Sequence, residues 1–372
     1  AGLFNPIPVS RRHPAADVRG RSLMDLIRRA RTITAWTAVA GASLWLWSAS
    51  ATAESPETAG APEFAFPVAC DYGRTCFIQN YVDARSGDAY GDHSCGHLSY
   101  DGHDGTDIRL RDRAAMRRGV AVTAAAGGTV ARTRDSMPDV LYSHNDPARI
   151  QGREAGNGVV IRHGAGWETQ YSHLKQGSIV VEPGDRVARG QELGQIGLSG
   201  RTEFPHVEFT VRHQGTPLDP FTALPGEAGC DRDGVTLWSD SAKATLDYIA
   251  SAVLGASFAS QRPDAETARD GGYAERQLPP DAGILAFWIN LMGPQAGDIQ
   301  HFRVAGPNGG EVLDHTQTLS RDQARRFSFV GRRKPEGGWP AGCYTGTYVL
   351  KRDGEQLIQT QRTVGLGARC PD

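Results

Sequence analysis

Pro205-His206-Val207-Glu208-Phe209-Thr210-Val211-Arg212 is the stretch from which the rest of the chain is read. Apolar and polar residues alternate with period two. It is a β-strand with Val207, Phe209 and Val211 on the core face and His206, Glu208, Thr210 and Arg212 on the other. An imidazole and a carboxylate thus leave one face side by side. Working outward, short apolar runs punctuated by glycine recur upstream: Val120-Ala121-Val122, Gly128-Thr129-Val130, Val159-Val160-Ile161 and Ile179-Val180-Val181. This rhythm predicts an antiparallel β domain over residues 66–232, interrupted by a long loop over 132–155.

Composition agrees. Glycine at 45 and proline at 21 of 372 residues, with 39% hydrophobic residues, suit short strands and many turns, so the chain reads as mainly β. Forty basic against forty-two acidic side chains leave a formal charge of −2, which gives no basic excess for nucleic acid. A second β-sandwich is expected over 277–372, from runs at Ile284–Ile289, Ile299–Val304, Arg326–Val330, Cys343–Leu350 and Gln356–Val364. The turn signals Pro307-Asn308-Gly309-Gly310 and Arg352-Asp353-Gly354-Glu355 separate several of these runs. The Ala-rich stretch 233–276 lacks strand periodicity and reads as a linker with one short helix, open to proteolysis.

Arg28, Arg29 and Arg31 precede an uncharged segment, Thr32 to Ala53, that ends in Ala51-Thr52-Ala53. Residues 1–53 therefore read as a signal peptide, with 1–23 an over-long gene start ahead of Met24, and 54–65 as a flexible leader. The expected location is exported, in the periplasm or cell envelope, or membrane-anchored if the segment is not cleaved. All six cysteines follow Ala53 and form no CxxC pair, which points to disulfides rather than a cysteine metal site. The pairing expected is Cys70–Cys76, Cys95–Cys230 and Cys343–Cys370, although sequence order alone does not choose among the connectivities.

The candidate chemistry lies upstream of Cys230. His103-Asp104-Gly105-Thr106-Asp107 places an imidazole and a carboxylate around a glycine expected to allow a tight bend. Tyr171-Ser172-His173-Leu174 adds a histidine at a strand end, and His206 and Glu208 share a face.

These residues, with Ala124–Val130, Gly156–Gly164, Gly184–Gln191, Ile196-Gly197-Leu198-Ser199-Gly200 and Pro205–Arg212, resemble the lysostaphin-type (LytM-like) zinc endopeptidases of metallopeptidase family 23 over about residues 95–220. The resemblance implies an open antiparallel β barrel or sandwich with a groove, and peptidoglycan as substrate. It implies zinc held by His103, Asp107 and the residue at position 208, where this chain has Glu in place of the family's third ligand His. Carboxylate oxygen is a competent zinc donor, so His103, Asp107 and Glu208 are the expected metal ligands. His173 and His206 match the histidines that activate the attacking water and stabilise the tetrahedral intermediate. The expected activity is a zinc-dependent peptidoglycan endopeptidase cutting amide bonds of peptide stems or cross-links. The competing reading is a degenerate, metal-free domain that binds cell wall or activates an amidase. A third reading gives the main role to the C-terminal domain as a wall-binding module or the docking site of a periplasmic protein partner, with Trp288, Trp339 and Tyr344 as its binding face. The cysteine reading predicts that thiol titration of the native, oxidised protein finds no reactive thiol, and more than one would contradict it.

Overall fold

The computed structural model describes residues 60–142 and 147–371. The signal segment and residues 54–59 of the leader fall outside the described residues. Among the described residues no helix is long and apolar enough to cross a membrane.

Ten strands build the first β region. They are β1 (Cys76–Asn80), β2 (Thr106–Leu110), β3 (Ala121–Thr123), β4 (Gly128–Arg134), β5 (Asn157–Gly164), β6 (Trp167–Leu174), β7 (Arg186–Val187), β8 (Glu192–Gln195), β9 (His206–His213) and β10 (Thr216–Leu218). An antiparallel sheet runs β1-β2-β9-β6-β5-β4-β7, with β10 also on β9, and it stays open because its outer strands do not pair with each other. β3 and β8 form a separate pair. The alternation in β9 is realised: Val207, Phe209 and Val211 are fully buried, in one cluster with Val122 of β3 and Leu193 of β8. The opposite face of β9 carries His206 and Glu208. On either side of Glu208 the register places Asp107 of β2 and Ser172 of β6.

Ile179-Val180-Val181 is not a strand. Val180 is largely exposed, and the segment follows the Lys175–Ser178 turn as irregular chain. The ordered core also starts earlier than residue 66, since Phe64 is fully buried, exchanges backbone hydrogen bonds with Leu237 and Ser239, and packs on Phe209.

The second region contains β11 (Ala252–Ala259), β12 (Gln277–Leu278), β13 (Ile284–Met292), β14 (Ile299–Ala305), β15 (Glu311–Thr318), β16 (Arg325–Arg333), β17 (Gly342–Arg352) and β18 (Glu355–Leu366). A three-stranded sheet, β11-β13-β16, faces a five-stranded sheet, β12-β18-β17-β14-β15. Phe258, Phe287, Ile289 and Leu291 of the first close a core against Phe302, Val304, Tyr348 and Leu350 of the second. Asp353 and Gly354, both at positive φ, make the two-residue turn between β17 and β18 that a hairpin's twist favours. The polar strand β15 carries almost no core residues, so its sequence gave no apolar run to detect. Tyr344 and Trp288 are buried in the sandwich, so they do not form a surface with Trp339.

Residues 233–276 are not a linker. Leu237, Trp238, Ala242 and Leu246 belong to the first core. β11, read as linker because alanine, serine and glycine dilute its apolar residues, pairs along its length with β13. Among the described residues there are three short α-helices: α1 (Arg113–Arg118), α2 (Asp240–Lys243) and α3 (Ala265–Arg269). Arg113 of α1 pairs with Glu266 of α3 and with Asp270 just beyond it, and Arg117 also reaches Asp270. Phe77 of β1 packs on Ala252, Leu254 and Met292, and removing such a side chain from water contributes roughly 1.5–3 kcal/mol. Tyr248 donates to Asp92 at 2.7 Å, and Gln295 bonds His97. The two regions therefore share an interface within one unit spanning Glu54–Asp372.

The disulfides are Cys70–Cys76, Cys95–Cys230 and Cys343–Cys370. Limited proteolysis of the native protein should leave β11 (Ala252–Ala259) uncut, because its backbone is paired along its length with β13. Release of a soluble 66–232 fragment would contradict this arrangement.

Candidate functional site

His103, Asp107, His173, His206 and Glu208 converge on the non-core face of β9. Asp107 on β2 and Glu208 on β9 are direct cross-strand partners, so their carboxylates meet without any long excursion of chain. His103 enters from the loop before β2. Its N–H closes a turn onto Tyr100 O at 3.0 Å, with Gly102 at φ +73°. The glycine of the His103–Asp107 motif acts differently from the expected bend: Gly105 is not at positive φ, and a Cβ there would lie 2.7 Å from Glu208 Cγ. It leaves room for the Glu208 side chain.

His173 arrives by a distortion. Ser172 is the registered partner of Glu208 and shares its face, so regular alternation would turn His173 away. Instead His173 sits at φ +63°, in the left-handed region that histidine visits more readily than most residues, and its Nε2 lies 3.5 Å from Glu208 Oε2. Three buried groups stabilise this kink. Asn157, fully buried, accepts from Met137 N–H and donates to the Met137 and Leu174 carbonyls. Asn157 N–H donates to Ser199 Oγ, which donates to Leu174 O. Ser199 O in turn accepts from His173 Nδ1 at 2.8 Å. Gly156 allows the close approach, since a Cβ there would be 2.4 Å from Ser199 O.

The other two imidazoles are anchored in the same way. His103 Nδ1 donates to Tyr81 O at 2.8 Å, and His206 Nδ1 donates to Phe204 O at 2.8 Å, with Thr202 Oγ1 at 3.0 Å. A carbonyl accepts only, so all three rings carry a proton on Nδ1 and turn Nε2 inward. His103 Nε2 lies 3.2 Å from Asp107 Oδ1 and 3.6 Å from Glu208 Oε1, and His206 Nε2 lies 3.5 Å from Asp107 Oδ1. The second oxygen of Asp107 accepts from Asn80 Nδ2 at 2.7 Å. The candidate ligand atoms of His103, Asp107 and Glu208 lie within 4.8 Å of one another.

The charges respond to this packing. Burial works against a charged His103, but the facing Asp107 carboxylate overrides it and lifts the ring to about 9. Burial alone would raise Asp107. The His103 and His206 rings and the Asn80 hydrogen bond hold it well below the usual carboxylate range. Burial pushes His206 down to about 4 despite Asp107. His173 is raised, burial being outweighed by its bond to Glu208, and Glu208 is lowered by the same bond against its own burial. The site is open to solvent chiefly at Glu208, whose side chain keeps 15% exposure against 1–6% for the other four.

Beside Glu208, Gln170 and Ser172 of β6 join Arg132 and Arg134 of β4 around a recess of about 440 Å³. Arg212 on β9 bonds Gln170 and Asp104. Tyr171 is structural: its buried hydroxyl accepts from Ala125 N–H. Sequence reading did not single out Asn80, Tyr81, Thr202 or Phe204. Two of them act through backbone carbonyls, which leave no mark in side-chain spacing, and Asn80 lies 27 residues from its partner. Ser199 was legible only as part of the quoted Leu-Ser-Gly run.

Residues 101–220 match the sequence profile of Peptidase family M23, and this segment is a domain of that family. The chain is 35% identical over 121 residues to Peptidoglycan DD-endopeptidase ShyA of Vibrio cholerae, covering 32% of this chain and 23% of that protein. It is 38% identical over 79 residues to DD-carboxypeptidase/endopeptidase Mpg of Neisseria meningitidis, covering 20% of this chain and 18% of that one. A zinc containing peptidase from Vibrio cholerae aligns with a TM-score of 0.25 at 28% identity, over 40% of this chain and 39% of the other. The chain thus spans less than a quarter of the length of these two curated relatives.

The hub beneath His173 generates a stability prediction. Asn157→Ala should cost about 2–4 kcal/mol in urea unfolding, because it removes the side-chain partner of the buried Met137 N–H and carbonyl and one of the two donors to Leu174 O. A loss below about 1 kcal/mol would mean that those groups find other partners.

Proposed function

We propose that the chain is an exported, metal-dependent peptidoglycan hydrolase that cuts amide bonds of peptide stems or cross-links, with His103, Asp107 and Glu208 as metal ligands. One observation carries this reading: three imidazoles, each anchored through Nδ1 to a backbone carbonyl, turn Nε2 toward two carboxylates. Lone pairs of neutral rings facing carboxylate oxygens at 3.2–3.6 Å repel unless positive charge lies among them. A proton on His103 supplies it in one state. A divalent cation fits the same donors, since imidazole and carboxylate are both ligands of zinc, and three protein ligands are the usual number at a catalytic site.

Zinc held by His103, Asp107 and Glu208 would polarise the scissile carbonyl and acidify water. The chain's own groups do the rest. His206, kept neutral by burial, offers Nε2 as the base that takes a proton from the attacking water. His173, whose ring Glu208 makes more basic, is placed to donate from Nε2 to the oxygen that gains charge as the amide carbon becomes tetrahedral. Asn80 orients Asp107 through its second oxygen, an outer partner of the kind that fixes a ligand's direction. The recess lined by Arg132, Arg134, Gln170 and Ser172 suits a polar substrate that carries carboxylates. The secretory signal expected at residues 1–53 and the three disulfides support an extracytoplasmic setting.

Glu208 decides between this reading and a metal-free wall-binding or amidase-activating domain. Glu208→Ala should lower zinc affinity by more than the ~10–100-fold that loss of an outer partner costs, and should abolish peptidoglycan hydrolysis. Glu208→His should retain metal. Zinc content after reconstitution and release of peptide fragments from purified sacculi are the measurements. A wild type that takes up no zinc and releases nothing would falsify the hydrolase reading and favour the metal-free one.

A further inference from the structure

His206 is held by the segment just before it. Phe204 O accepts its Nδ1–H, the Phe204 ring lies 4.5 Å from the imidazole, and Thr202 Oγ1 donates to Phe204 O at 2.7 Å. Residues 199–205 form no helix or strand; main-chain bonds pin the segment on either side of Phe204, from Tyr142 N–H to Thr202 O at 2.8 Å and from Leu110 N–H to Pro205 O at 2.9 Å. Between them two guanidinium groups hold the Phe204 ring. Arg109, buried on β2 and bonded to Gln79 and to Leu110 O, stacks 4.6 Å from the Phe204 ring centre. Arg325, the first residue of β16, stacks on the same ring at 5.3 Å. Its Nη2 donates to Glu203 Oε2 at 2.9 Å and its Nη1 to Glu203 O at 3.2 Å. One fork thus holds the side chain and the main chain of the residue next to Phe204, in a planar two-point contact that lysine cannot copy.

Arg325 belongs to the C-terminal sandwich. Val330 points into the sandwich core, so alternation along β16 puts Arg325 on the other face of the three-stranded sheet. Met292, its registered partner on β13, packs from that face on Phe77. We infer that Arg325 is a positioning residue for His206: the C-terminal sandwich reaches into the first β region and fixes the 202–204 segment that sets the ring of the catalytic base. This rests on the reading of His206 as that base. It gives the sandwich a part in the reaction itself, beyond any attachment to wall or partner.

The full chain is compared with Arg325→Ala, Arg325→Lys and Arg113→Ala. The last removes a different ion pair of the same interface, Arg113 with Glu266 and Asp270, and does not touch 202–204. Arg325→Ala should lower kcat on sacculus-derived peptide substrate about 10-fold with KM within about 2-fold, since a misplacement of 1 Å costs up to ~10²-fold. It should also broaden the downfield Nδ1–H proton resonance of His206, assigned by its absence in His206→Asn. Arg325→Lys, which keeps the charge but neither the planar stack nor the two-point contact, should recover only part of kcat. Arg113→Ala should leave both readouts as in wild type. A sharp His206 resonance with unchanged kcat in Arg325→Ala overturns the inference, and so does an equal loss in Arg113→Ala, which would make the effect one of interface stability. If the wild type hydrolyses no peptidoglycan, the functional reading fails, and the His206 resonance alone then decides whether Arg325 positions the ring.

Discussion

A backbone carbonyl can only accept a hydrogen bond, so the contacts from Tyr81, Ser199 and Phe204 force the proton of each ring onto Nδ1 and leave Nε2 for the centre of the site. Everything else around the site serves this convergence. The left-handed residue at His173 costs on the order of 1–3 kcal/mol and persists because buried hydrogen bonds over-determine it. The bonds of Asn157 and Ser199 are of that kind, and they reach three separate segments of chain. The glycines on either side of Asn157 follow from the same need, because the backbones of Ser199 and Tyr171 approach where a Cβ would stand.

Glu208 changes the balance of such a site without emptying it. Two carboxylates and three imidazoles bear a formal charge of −2 when the rings are neutral, and a divalent cation matches that charge. On the proposed reading, a second anionic ligand would make the donor set harder than one with an additional imidazole, which would weaken a bound metal as a Lewis acid and leave more of the activation of water to His206. Gly105 leaves the room in which the Glu208 side chain lies, since a Cβ there would be 2.7 Å from Glu208 Cγ.

The strand at Pro205–Arg212 was legible because its core side is entirely apolar and its other side entirely polar. The sandwich strands with full apolar runs were legible for the same reason. β13 is buried along nearly its whole length, which is why Ile284–Ile289 reads as a continuous apolar run; the strand goes on past the buried polar Asn290 to Met292. β11 and β15 escaped for opposite reasons. β11 fills its positions with alanine, serine and glycine because it lies close against β13 and Trp288, where a Cβ at Gly255 would be 3.1 Å from the indole. β15 is an edge strand whose polar residues keep it from pairing with another chain. At the site, the five side chains were legible through spacing and resemblance. The carbonyls that orient them were not, because hydrogen bonding of the main chain is set by tertiary path and not by residue type.

Both faces of β13 are covered, one by the sandwich core and the other by Phe77 of β1 at Met292 and by Ala268 of α3 and Tyr273 at Trp288, and this makes the sandwich more than an appended module. An element that served only to bind wall would gain from a flexible tether, which lets the catalytic domain search a large polymer. Here the connecting chain is itself the strand β11, and ion pairs at α1 and at Glu203 tie the two regions on separate sides of Met292. Such an arrangement gives up reach and gains rigidity. Rigidity has value where the outer region contributes to the geometry of the site, and the contact of Arg325 with Glu203 and Phe204 supplies that contribution next to His206. On the proposed reading, the sandwich acts from behind the site, through the segment that carries Phe204, and not by lining it.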